Sequence, residues 1–255
     1  MTIQIETGMK ITTAMVLAAG FGKRMRPLTD TTPKPLVPVL GTPMLETILD
    51  KLKASGFNRI VVNAFYLKDQ IRNYLESKGD AALIYSEENT ILETGGGVTF
   101  ALPKLGDKPF VVVNGDVCWL DGVEPALQRL VDQWDEEKME ALLLLQPTSS
   151  AVGYEGSGDF TMNSDGYLAR RGESDNAPFV YAGIQILHPK LFQEVPNGAF
   201  SLNYVFDKAL AKRRLCGLEH DGEWFHVGTP EGLAEVEGIL RNRVQSSPGS
   251  DARVS

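Results

Sequence analysis

Residues 11–29 run Ile-Thr-Thr-Ala-Met-Val-Leu-Ala-Ala-Gly-Phe-Gly-Lys-Arg-Met-Arg-Pro-Leu-Thr. The opening Ile11–Ala18 is an apolar stretch bounded by Gly20 and Gly22, the pattern of a buried strand that ends in a glycine loop. Lys23, Arg24 and Arg26 follow, three cations within four positions. Glycines let backbone N–H groups come close to phosphate oxygens, an arginine can fork across two of them, and a lysine adds a point charge. The loop therefore predicts a cradle for a triphosphate. Lys34, set between Pro33 and Pro35, stands on a stiffened backbone that can aim its ammonium at the same place. Two commoner phosphate loops do not fit. A dinucleotide G-x-G-x-x-G would need glycine at Met25 and would be interrupted by Pro27, and a P-loop would need Ser or Thr where Arg24 stands.

Downstream, strand and helix patterns alternate. Met44, Leu45, Ile48, Leu49 and Leu52 fall at helical spacing between Pro43 and Gly56. Then come strand Arg59–Asn63, helix Lys68–Lys78, strand Ala82–Tyr85, a helix from Gly96 towards Leu102, and strand Phe110–Val113 ending at Asn114-Gly115-Asp116. A helix near Val123–Trp134 and the run Ala141–Leu145 continue the series. This alternation predicts right-handed βαβ units and an α/β fold, a Rossmann-like, mainly parallel sheet flanked by helices. Ligands of such sheets sit beyond the carboxyl ends of the strands, where residues 20–34, 86–97 and 114–116 lie. After Pro147 the texture turns to Gly, Ser and Asp, with strand-like pieces around Asp159–Met162, Tyr167–Arg170 and Phe179–Leu187, expected as a small antiparallel or mixed region capping the sheet. Helices at Leu202–Lys212 and Pro230–Arg243 flank Glu223–Gly228. Residues 1–10 are expected as an extension and 245–255 as a disordered, Ser/Pro/Gly-rich tail.

Composition narrows the classes. The 255 residues are 43% hydrophobic and 23% charged, enough for a full core, and no apolar run approaches the roughly 20 residues of a membrane span. No apolar segment of signal-peptide type opens the chain, so the cytoplasm is the expected compartment. Cys118 and Cys216 are far apart and fit neither a disulfide framework nor a zinc site. A net charge of -8 disfavours nucleic acid and anionic membrane as partners, so an anionic ligand needs a local basic cluster.

Two acidic segments complete the candidates. Asp116 closes a strand, where a carboxylate can meet a cation held between phosphates; Mg²⁺ prefers oxygen ligands and often takes only one or two from protein. Glu93-Thr94-Gly95-Gly96-Gly97 joins a carboxylate to a glycine run that opens a helix, whose N–H groups can hold a phosphate or a sugar hydroxyl.

The string L-A-A-G-x-G-x-R-M-x-P-L-T followed by P-K-P-L closely resembles the signature of the sugar-phosphate nucleotidyltransferases. The likeness continues through Glu93–Gly97, Asn114–Asp116 and Val227–Pro230, over about residues 11–243. Within that family the chain is most similar to compact N-acetylmuramate-1-phosphate uridylyltransferases of cell-wall recycling, with short GTP-dependent mannose-1-phosphate guanylyltransferases next. The resemblance implies a nucleotide-diphospho-sugar transferase fold of the GT-A type. It divides the domain into a nucleotide half, about 11–146, and a sugar half, about 147–244. It makes Arg24 and Lys34 phosphate-binding catalytic residues and Asp116 the magnesium aspartate. Ala18, Ala19, Gly20, Gly22, Lys23, Glu93 and Gly95 would meet the nucleotide, with Arg26 a weaker candidate. Glu93, Thr94, Asn114, Asp159 and Gly183 would meet the sugar.

The family's second metal carboxylate lies in a W-x-D-x-G string, which here reads Trp224-Phe225-His226-Val227-Gly228. An imidazole carries no negative charge at neutral pH and suits Mn²⁺, Co²⁺ or Zn²⁺ better than Mg²⁺. Three readings stand: His226 is a neutral metal ligand, it is a hydrogen-bond donor to phosphate while Asp116 and the substrates hold Mg²⁺, or the site is crippled. The second is the preferred one. The motifs hold cations and a metal carboxylate but no side-chain nucleophile, so the expected reaction is direct attack of a sugar-1-phosphate on a nucleoside triphosphate, favoured as UTP, by a monomer or small homo-oligomer. The rivals are a non-catalytic nucleotide-sugar sensor and a redox Rossmann enzyme, the latter in conflict with Met25 and Pro27.

Overall fold

Thr13–Leu17 forms β1 with its three central residues fully buried, because it is the middle strand of the parallel half of the sheet and is covered on both faces. The computed structural model describes residues 11–246; the extension expected over 1–10 and the tail from 247 lie outside the described residues. Two short strands, β2 (Pro38–Val39) and β3 (Thr42–Pro43), lead into α1 (Met44–Ala54), β4 (Arg59–Ala64), α2 (Lys68–Ser77), β5 (Leu83–Glu87), α3 (Glu93–Leu105) and β6 (Phe110–Asn114). Then follow β7 (Cys118–Leu120), α4 (Ala126–Gln133), β8 (Ala141–Pro147), β9 (Phe160–Met162), β10 (Leu168–Arg170) and β11 (Phe179–Leu187). The chain closes with α5 (Asn203–Ala211), β12 (Leu215–Glu219), β13 (Glu223–Phe225) and α6 (Pro230–Ser246), whose end takes in the first two residues expected as tail.

The main sheet has nine strands. β5, β4, β1 and β6 lie side by side and parallel, with Leu17 opposite both Asn63 and Asn114, so three strands end level along one edge. Apolar faces of α1, α2 and α4 cover one side of the sheet, α3 and α5 the other, and α6 closes a third cluster around Met25, Met44, Phe225 and Val227.

Two sequence expectations need correction. Phe179–Leu187 does not cap the sheet: as β11 it enters between β6 and β8, antiparallel to both. Its nearly continuous apolar run, Phe-Val-Tyr-Ala-Gly-Ile-Gln-Ile-Leu, is what a strand buried on both faces requires. Only β9 and β10 form the small antiparallel addition. The α3 helix opens at Glu93 rather than Gly96, with its glycines buried inside it.

Register shifts in the β11–β8 pairing between Tyr181 and Gln185, around Gly183, whose φ of 81° suits glycine. The two-stranded antiparallel sheet of β7 and β13 pairs Cys118 with Phe225, so His226, far along the chain, comes beside the loop that holds Asp116.

Candidate active site

The level ends of β1, β4 and β6 open into a cavity of about 390 Å³, within the range of small-molecule sites. Its wall contains Ala18, Ala19, Gly20, Gly22, Lys23, Arg24, Lys34, Glu93, Thr94, Asn114 and Asp116, eleven of the residues singled out from sequence. A second lobe of about 230 Å³ adjoins it, lined by Gly183 and His226 with Tyr154, Tyr181 and Trp224. Arg24, Lys34, Asn114 and Asp116 line both lobes and so form the wall between them.

The basic loop is a series of short 3₁₀ turns, Lys23–Met25, Leu28–Asp30 and Lys34–Leu36. Gly22 has φ 61°, and a Cβ there would stand 3.0 Å from both Lys34 Cβ and Thr29 Cγ2, so the turn packs directly on the Lys34 segment. Buried Met25 anchors the loop while Arg24 projects, exposed, into the cleft. Arg26 pairs with Asp30 at 3.1 Å and lines neither lobe.

Lys34 Nζ lies 2.6 Å from Asp116 Oδ2; the lysine side chain is 11% exposed and the aspartate 42%. A largely buried ammonium demands such a partner. Asp116 is reached because Gly115 lets its backbone lie against β1: a Cβ there would fall 2.6 Å from Leu17 O. Glu93 opens α3 with φ 57°, a left-handed conformation costly for a residue other than glycine, and its side chain faces the larger lobe.

His226 packs against Trp224 and Tyr154, ring centroids 5.8 and 6.3 Å away. Burial, then the nearby Arg24 and Lys34 charges, push its pKa below the usual imidazole value, with Asp116 opposing. It is therefore neutral at pH 7. Among the described residues no group of three or more His, Cys, Asp or Glu is placed to hold a metal. One half-exposed carboxylate beside a neutral imidazole fits a divalent ion that arrives with phosphate oxygens, not one caged by protein.

Two expected contacts lie elsewhere. Gly95 lines neither lobe: its N–H and that of Gly96 donate to Phe200 O at 2.8 and 3.1 Å, and a Cβ would run into the Phe200 ring. The start of α3 is capped by the chain itself rather than left for a phosphate. Asp159 also lines neither lobe; its Oδ2 accepts from Tyr181 N at 2.9 Å and so braces β11. Conversely, the cleft includes Asn63, Ile91, Tyr154 and Tyr181, which the motif reading missed. Asn63 carried a usable signal, a polar residue ending an apolar strand as Asn114 does; the tyrosines carried none.

The nucleotidyl transferase family matches residues 13–242. N-acetylmuramate alpha-1-phosphate uridylyltransferase of Caulobacter vibrioides is 38% identical over 232 residues, covering 89% of this chain and 96% of that protein. The enzyme of that name from Neisseria meningitidis serogroup B is 36% identical over 233 residues, covering 89% and 97%. In fold the chain is similar to UDP-glucose pyrophosphorylase complexed with UDP-glucose, with TM-score 0.76, 16% identity and coverage of 91% and 99%. It is also similar to the inositol-1-phosphate CTP transferase from T. maritima, with TM-score 0.76, 18% identity and coverage of 94% and 98%. The chain belongs to the nucleotidyl transferase family and is a sugar-1-phosphate nucleotidyltransferase.

Proposed function

We propose that the chain couples UTP to N-acetylmuramate α-1-phosphate, giving the uridine diphosphate sugar and pyrophosphate. The observation that carries the reading is the shared wall: Arg24, Lys34, Asn114 and Asp116 border both lobes. It is supported by relatives of that name at 38% and 36% identity along nearly their whole length. The larger lobe takes the nucleotide, and the smaller one, reached from the half beyond residue 147, takes the sugar.

An oxygen of the sugar phosphate attacks the α-phosphorus in line; the bond from that phosphorus to the bridging oxygen breaks, and its electron pair leaves with pyrophosphate. The attacking phosphate is already an anion, so no side chain has to remove a proton. Arg24 stabilises charge on the triphosphate as the bond breaks, Lys34 holds phosphate near the reacting centre, and neutral His226 donates a hydrogen bond to it. Family members typically use a divalent metal; when bound, such an ion would neutralise phosphate charge, and Asp116 would hold it as Mg²⁺, with Mn²⁺ a second choice. No helix among the described residues is long and apolar enough to cross a membrane. The reading places the enzyme in the cytoplasm, in peptidoglycan recycling.

Pyrophosphate release from four nucleoside triphosphates, each paired with several sugar-1-phosphates under Mg²⁺ and Mn²⁺, tests it. UTP with N-acetylmuramate α-1-phosphate is expected to be fastest. A higher kcat/KM for GTP with mannose-1-phosphate would replace it by a guanylyltransferase, and nucleotide binding without any pyrophosphate release by a sensor.

A further inference from the structure

A buried polar chain behind the larger lobe has no part in the chemistry above. Ala18 N donates to Asn63 Oδ1 at 2.8 Å, and Asn63 Nδ2 donates to Glu88 Oε1 at 2.6 Å. Asn63 and Glu88 are each 1% exposed. The three residues sit at the ends of three adjacent strands, β1, β4 and β5, and Glu88 N in turn donates to Ala64 O. A carboxyl buried at the edge of an apolar sheet is costly, and the Asn63 hydrogen bond, with a weaker pull from the Leu92 N–H, offsets it only in part. The fold nevertheless makes room for it. Gly97 lies inside α3, where glycine is less favourable than alanine, and a Cβ there would stand 2.8 Å from Glu88 Oε1 and 2.9 Å from Asn63 Nδ2.

Asn63 lines the cavity and Glu88 does not. A carboxamide has one acceptor oxygen and two N–H donors. The oxygen is committed to Ala18 and one N–H to Glu88, which leaves one N–H for a ligand. A flipped amide would turn its NH₂ group against the Ala18 N–H, so the two partners together fix its orientation.

We infer that Glu88 is a positioning residue for nucleotide binding: through Asn63 it sets the Ala18–Gly20 backbone against the phosphates and presents one carboxamide N–H to the nucleotide. The inference rests on reading the larger lobe as the nucleotide site. Burial pushes the Glu88 carboxyl above the usual glutamate range, against the lowering pull of hydrogen bonds from Asn63 and the Leu92 backbone. Glutamine, with the same shape and no charge, is therefore the conservative replacement.

The test is calorimetric titration with UTP, with KM, kcat and melting temperature for each variant. Wild type binds UTP; if it does not, the lobe reading fails and takes this inference with it. E88A is expected to raise Kd and KM for UTP about tenfold with kcat within about twofold, whereas E88Q stays within about twofold on all three. N63D sets two carboxyl groups against each other and weakens UTP binding by at least as much. N63D/E88Q restores a donor–acceptor pair with its direction reversed and recovers the part of the affinity carried by the Ala18–Gly20 backbone, though not the part carried by the N–H that aspartate lacks. Folded E88A or N63D with wild-type Kd, beside a wild type that binds UTP, overturns the inference alone. So does a double variant that binds no better than N63D, a comparison that decides the matter even where E88A does not fold.

Discussion

The two lobes of the cleft are built from different materials. The larger joins main chain, at strand ends and the glycines of the 18–22 loop, to the polar side chains of Lys23, Asn63, Glu93 and Thr94, with Gly115 brought in by close contact with β1. The smaller is mostly side chains, Tyr154, Tyr181, Trp224 and His226, carried by a loop, a bulged strand and the end of β13, which pairs with distant β7. Backbone N–H groups and cations suit what every nucleoside triphosphate shares, its phosphates. Side chains suit what distinguishes one sugar from another. The shared wall, where neither class of recognition suffices, is where charge is concentrated.

The largest effects should therefore come from that wall. Arg24 is exposed, with Met25 the buried residue of its turn, so Arg24→Ala is expected to lower kcat about 10²–10³-fold while melting within about 2 °C of wild type. Full-rate turnover would remove the wall from the mechanism. Asp116→Asn is expected to cost about 10²-fold in kcat. It also strips the counter-charge from Lys34, but the exposed side of the pair is solvated, so only about 1 kcal/mol of stability should go, measurable by urea unfolding.

This contrast also governs what could be read from the chain alone. Main-chain recognition needs local sequence: Ala18, Ala19, Gly20, Gly22, Lys34 and Asn114–Asp116 each sit within a short motif, and all line the cleft. The parallel half of the sheet was legible for a similar reason, since each βαβ unit is contiguous. Side-chain recognition is assembled over long separations. Nothing near Tyr154 or Tyr181 announces a cleft, and β11 was placed at the margin because insertion between β6 and β8 is a long-range pairing that no local period encodes. Gly95 misled for the opposite reason: a glycine run before a helix has one sequence appearance whether its N–H groups serve a ligand or, as here, Phe200 O.

Two glycines turn that last point into a measurement. Gly22→Ala forces a side chain into a left-handed turn against Lys34 and should cost about 1–2 kcal/mol of stability and roughly tenfold in kcat/KM. Gly95→Ala meets the Phe200 ring and should cost about 1–3 kcal/mol while leaving kcat of the folded enzyme within about twofold. Equal activity losses in the two variants would contradict the division between a phosphate loop and a packing contact.

The smallest effect expected is also the one specific to the side-chain lobe. His226 has a folded pKa below its unfolded value near 6.5, because burial and the Arg24 and Lys34 charges oppose its protonation. The unfolded chain then binds the proton more readily, so this stabilisation is present above about pH 6.5 and is lost as pH falls through the unfolded value towards the folded one. His220 shifts in the same direction, through burial, and contributes to the same acid limb. Melting temperatures from pH 5 to 8 should therefore decline on the acid side for wild type and decline less for His226→Gln, which keeps a hydrogen-bond donor but cannot titrate. Parallel curves would mean that neither burial nor the cations of the wall lower the imidazole's affinity for a proton, and with that the neutral donor role assigned to it would lose its electrostatic basis.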